Sequence, residues 1–97
     1  MTFQALGIET ALGEAIGNVV QAVSSKWAVF YVQVQETAGE ITVLLKDNVQ
    51  ASIVVSEGGT SVIVMSCTPA NPELYGTVSW ENPQIQNILD YLEEKAK

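Results

Sequence analysis

Residues 27–68 read WAVFYVQVQETAGEITVLLKDNVQASIVVSEGGTSVIVMSCT, and this stretch decides the fold. It begins by alternating, with Ala28, Phe30, Val32 and Val34 on one side and Trp27, Val29, Tyr31, Gln33 and Gln35 on the other. Period-2 alternation marks a strand whose two faces meet different surroundings, and here one face is purely apolar. ETAGE (36–40) supplies a turn, ITVLLK (41–46) a second strand, and Asp47-Asn48 a second turn, where both residue types bond readily to nearby backbone. VQASIVVS (49–56) sets Val49, Ala51, Ile53 and Val55 against Gln50, Ser52, Val54 and Ser56. Glu57-Gly58-Gly59-Thr60 is a hairpin signal, because glycine takes positive φ without steric cost. A fourth strand, 61–68, is too apolar to show which face is buried. Connections this short cannot carry parallel crossovers, so the stretch predicts an antiparallel meander.

Helices flank it. Leu12, Ile16, Val19, Val20 and Val23, with Leu6 before them, follow spacings of three and four, the helical period. Gly13 and Gly17 share a face of this helix, which suits close approach to a neighbouring backbone. TPANPELYG (68–76) holds two prolines and reads as a surface loop, followed by a short edge strand over 76–80. Asn82-Pro83 reads as a helix start, with Asn capping the free amides and Pro at the first helical position. Ile85, Ile88, Leu89 and Leu92 then make one apolar stripe. The sum is a single α+β domain over residues 1–97. It has two layers: an N-terminal helix, a four- to five-stranded antiparallel meander and a C-terminal helix, with the helices on one sheet face and the other face partly bare.

Composition then removes most chemistry. The 97 residues hold eleven acids, four lysines, no arginine and no histidine, for a net charge of −7. Without histidine there is no Ser-His or Cys-His pair, no His-based zinc site and no imidazole switch. The single cysteine, Cys67, makes no internal disulfide, lacks an activating base, and reads as a small core or near-core residue. Oxygen ligands alone would suit Ca²⁺ or Mg²⁺, but the chain has no Asp-x-Asp-x-Asp-Gly loop, so neither metal nor other cofactor is expected. Gly58-Gly59 runs into a strand, not into the helix a phosphate loop requires. Excess acid opposes nucleic-acid binding, which needs cations. No apolar run reaches the roughly 18 residues that span a bilayer. The first 20 residues carry Glu9 and Glu14 without a basic leader, so the expected location is the cytoplasm.

What remains is surface. Trp27, Tyr31 and Gln33 are expected on one strand face, where aromatic groups beside short polar ones suit recognition. Glu36 and Glu40 flank one turn and Glu57 sits at the turn after next, which in a meander is the same end of the sheet; Asp47 falls at the opposite end. These six, Trp27, Tyr31, Gln33, Glu36, Glu40 and Glu57, are the expected contact residues of a non-catalytic, acidic protein-binding module whose partner is a basic protein. In size, acidity and lack of catalytic side chains, the chain resembles the small bacterial immunity and inhibitor proteins that neutralise a toxin or nuclease. The likeness is one of class and carries no residue roles. Two alternatives stand beside it. One is a phage-type inhibitor whose carboxylates mimic nucleic acid. The other is a homodimer of the secretion-chaperone or adaptor kind, paired through the edge of strand 61–68 or through the bare sheet face.

Overall fold

The computed structural model of the protein describes residues 10–66, 68, 70 and 72–97, so Leu6 and Cys67 lie outside the described residues. The element order is α1 (Thr10–Ser24), β1 (Ala28–Val34), β2 (Ala38–Lys46), β3 (Val49–Ser56), β4 (Gly59–Ser66), β5 (Leu74–Trp80) and α2 (Ile85–Lys95). The five strands pair in sequence order, all antiparallel, so β1 and β5 are the edges. This is the α+β meander between two helices that the short turns predict.

Both helices press on one face of the sheet. Leu12, Ile16, Val19 and Val23 of α1 and Ile88 and Leu92 of α2 share a single buried cluster with Ile41, Val43, Ile53, Val55, Val62 and Val64. Burying each such side chain contributes roughly 1.5–3 kcal/mol. β3 alternates without a break: Val49, Ala51, Ile53 and Val55 are buried, and the residues between them are half-exposed. α1 ends where Ser24 and Ser25 donate their hydroxyls to the carbonyls of Gln21 and Ala22, at 3.1 and 2.6 Å. Those last-turn carbonyls have no partner within the helix. At the β2–β3 turn Asn48 takes φ 63°, a left-handed conformation that Asn tolerates better than most residues.

Five local expectations are corrected. β5 begins at Leu74, two residues earlier than the edge strand read from the sequence, so Leu74 and Tyr75 belong to the sheet rather than to a loop. β2 begins at Ala38, which places Glu40 inside a strand instead of beside a turn. Of the two hairpin glycines only Gly59 has positive φ. The α2 N-cap is Gln84, not Asn82, and its amide donates to the Asn87 side chain at 2.8 Å. The strand read as 61–68 lies between β3 and β5 and has no free edge.

Tyr91 of α2 stands edge-on to Trp80, with ring centroids 6.2 Å apart at 89°. Burial first, and the charge of Glu94 second, push its phenol above the ordinary 10.0. The folded state therefore favours the neutral phenol. That contribution to stability is complete below the unfolded value and is lost as pH rises through the higher folded one. Alkaline difference absorbance is expected to show a phenol titrating above 10.0 that disappears in Tyr91→Phe. A wild-type curve superimposable on that of the variant, after scaling for one phenol, would refute the shift.

Candidate interaction surface

The face turned away from the helices is laid out by the strand register in three cross-sheet rows. The first runs Ala28, Leu44, Gln50, Met65, Leu74. The second runs Tyr31, Thr42, Ser52, Ile63, Thr77, and the third Gln33, Glu40, Val54, Ser61, Ser79. Tyr31, Leu44, Ile63 and Leu74 are exposed on it. Two hydrogen bonds tie the second row to the third: the Ser52 hydroxyl donates to Glu40 Oε2 at 2.8 Å and Tyr31 donates to Gln33 Oε1 at 2.5 Å; within the third row Ser61 and Ser79 lie 2.9 Å apart. A depression of about 140 Å³ beside the third row is lined by Gln33, Gln35, Ala38, Gly39, Glu40 and Val54.

The structure separates the expected aromatic pair. The register shifts between Val29 and Tyr31, because Phe30 is an extra, bulged residue with no partner on β2. A bulge inserts one residue and so exchanges the faces of everything beyond it. Trp27 and Val29 consequently pack against the core, whereas Tyr31 and Gln33 face outward. Trp27 has Lys26 over its ring at 5.9 Å. The apolar side expected from Ala28, Phe30, Val32 and Val34 is broken at the same point.

The carboxylates divide by end. In the meander the β1–β2 turn, the β3–β4 turn and the end of β5 fall together, and they carry Glu36, Glu57 and Glu81. Glu40 lies on the open face just below them, opposite Gln33 and Val54. Glu14 joins from α1, whose Ile16 rests on Gly39 near the same end. No described lysine is there. At the other end Asp47, Glu73, Glu93 and Glu94 meet all four lysines: Lys26 pairs with Glu93, Lys46 donates to the carbonyl of Lys97, and Lys95 closes α2. The net negative charge of the described residues thus gathers at one end, while charges at the other cancel. The sequence placed Glu36 and Glu57 together correctly; it missed Glu14 and Glu81. Glu81 could have been found by counting strand direction, since an even number of strands separates the two turns and β5 ends beside them; Glu14 depends on how α1 lies on the sheet.

Comparison with protein families, with curated proteins and with solved structures finds no match. Among the described residues no three of His, Cys, Asp and Glu gather as a metal-holding group. No helix of the described chain is long and apolar enough to cross a membrane.

Proposed function

We propose that this chain is a non-catalytic, cytoplasmic binding module of the immunity or inhibitor kind, which docks a basic protein such as a toxin or nuclease. The observation that supports it is the separation of charge: Glu14, Glu36, Glu40, Glu57 and Glu81 share one end with no described lysine among them. Such a field steers a cationic surface to that end and speeds encounter at low salt. Tyr31 and Gln33, on the open face beside Glu40, then offer an aromatic anchor and amide contacts next to the carboxylates. Absence of histidine and arginine throughout the sequence supports binding without catalysis. The mimicry alternative is less well supported. It calls for carboxylates in rows, and the three rows of the open face carry Glu40 alone, the other acids of that end standing at turns, at the end of β5 or on α1.

The test is capture of proteins from the source cells on the immobilised chain, followed by association kinetics of whatever binds. A basic protein is expected. Changing Glu36, Glu40 and Glu57 together to Gln should slow its association about tenfold at low salt. Asp47→Asn with Glu73→Gln, at the opposite end, should leave the rate unchanged. Capture of no basic protein, or equal effects from both variants, would overturn the reading.

A further inference from the structure

Of the described acids, Glu40 alone stands inside a strand, and it is half-buried there. A carboxylate so placed has given up part of its water, a loss normally offset by a cation. Among the described residues the one salt bridge lies elsewhere, between Lys26 and Glu93. Glu40 has instead the Ser52 hydroxyl, which donates to Oε2 at 2.8 Å. A carboxylate accepts at about four lone-pair positions, so this bond fixes the group and leaves Oε1 open. The depression of about 140 Å³ begins beside it. Ala38, two residues before Glu40 and on the same strand face, is short enough to leave the gap. Gln33 and Gln35 wall the gap on the β1 side and Val54 on the β3 side.

We infer that this depression is a receptor for a single guanidinium group, the tip of one arginine side chain, paired to Glu40. That the arginine belongs to a docked basic protein rests on the function proposed above; the binding of the guanidinium does not. Size sets the class of ligand. Pockets for whole small molecules hold about 300–1,000 Å³, whereas a cavity of about 150 Å³ lodges a benzene, and a guanidinium with its last methylenes is of that order. Charge then selects a cation, and the spread of acceptors selects the fork over the point charge. Glu40 Oε1 stands on one side; the Gln35 amide oxygen and the second lone pair of Gln33 Oε1 stand on the other. A guanidinium has five donors in a plane to divide among them, while an ammonium has three and holds its water more tightly. Ala38 and Val54 offer apolar wall to the methylene stem. Tyr31, next to Gln33 along the same face and bonded to it, offers a ring on which a guanidinium stacks. The bonds from Ser52 to Glu40 and from Tyr31 to Gln33 hold two of the acceptors in place before the ligand arrives, which lowers the entropy lost on binding.

The experiment titrates the isolated full chain with butylguanidinium at low salt and follows backbone amide shifts by NMR. Saturable shifts centred on Gln33, Gln35, Ala38, Glu40 and Val54 are expected, with a dissociation constant of about 10 mM. Butylammonium should bind about threefold more weakly, and butylurea, which has nearly the same shape without the charge, should not bind. Glu40→Gln should weaken butylguanidinium about tenfold. Ala38→Leu, which fills the depression and leaves every charge in place, should weaken it as much. Asp47→Asn, at the opposite end, should change nothing, and circular dichroism checks that each variant keeps its fold. Shifts spread evenly over the acids of the carboxylate end overturn the receptor, because they report attraction without a site. Equal binding of butylammonium overturns the choice of arginine, and indifference to Ala38→Leu overturns the depression as its seat. Capture of a basic protein whose binding ignores Ala38→Leu sinks the receptor and leaves the docking function standing. Localised butylguanidinium binding with no basic protein captured does the reverse.

Discussion

Gly59→Ala is expected to cost about 3 kcal/mol of folding stability, while Gly58→Ala, one residue earlier, costs less than about 0.5 kcal/mol. The two glycines look alike in the sequence and differ in the fold. Gly59 has φ 149°, a conformation that side chains rarely adopt, and a Cβ there would drive into the carbonyl oxygen of Trp80 and meet Glu81 Cα at 3.4 Å. Both obstacles are backbone. Trp80 is held by its pairing with Thr60 and by Tyr91 on α2, so it has nowhere to retreat. Strain and overlap therefore add. A Cβ on Gly58 meets nothing within 4 Å. Since a domain of this size has roughly 5–15 kcal/mol of total stability, the first variant should lower the urea midpoint markedly and the second hardly at all. Equal midpoints for the two variants would mean that the β4–β5 contact at Trp80 is not close enough to resist a methyl group.

The contrast shows where local sequence carries the fold and where it does not. β3 was legible residue by residue because Val49, Ala51, Ile53 and Val55 alternate with polar neighbours over its whole length, and a central strand leaves no room for slippage. α2 was legible because Ile88 and Leu92 lie one turn apart on its stripe, and both are buried. Its start was not: Asn82-Pro83 satisfies the rules for a cap, but the Gln84 and Asn87 pair performs that task two residues later. β1 was misread for a different reason. Alternation is a rule about uninterrupted strands, and nothing in AVFYVQV announces that Phe30 is extra. One bulged residue was enough to send Trp27 inward and keep Tyr31 outside, which removes Trp27 from the surface on which it was expected to act.

The charge map was half legible. Glu36 and Glu57 share an end because turn parity in a meander is fixed by strand order, which the short connections reveal. Where the lysines fall depends instead on the directions of two helices. α2 runs away from the carboxylate end, bringing Lys97 to Lys46 and Lys95 over Tyr91 beside Gly76 of β5, and α1 runs the same way and leaves Lys26 beside Glu93. Parallel helices of this kind turn a uniformly acidic chain into one with a charged end and a balanced end. That polarity depends on α1 being seated correctly on β2.

The seat itself predicts the largest single effect. Ile16→Ala should cost about 3–4 kcal/mol, because Ile16 is fully buried between α1 and the sheet and its removal leaves a cavity that rigid strands cannot close. The partner is Gly39. A Cβ on Gly39 would lie 2.6 Å from Ile16 Cδ1 and 3.0 Å from its Cγ1, so the sequence has left one position bare to let the other be large. Gly39→Ala alone should therefore cost about 1–2 kcal/mol by overpacking, even though alanine ordinarily suits a strand better than glycine. Ile16→Val alone, which removes Cδ1, should cost about 1 kcal/mol. Combined, the two should cost less than their sum by about 1 kcal/mol, because the new methyl occupies the space the old one vacated. Urea unfolding of the four chains closes that cycle. Strict additivity would show that Gly39 and Ile16 do not compete for the same space, and that α1 sits elsewhere on the sheet. Glu14, two residues before Ile16 on the same helix, would move with it.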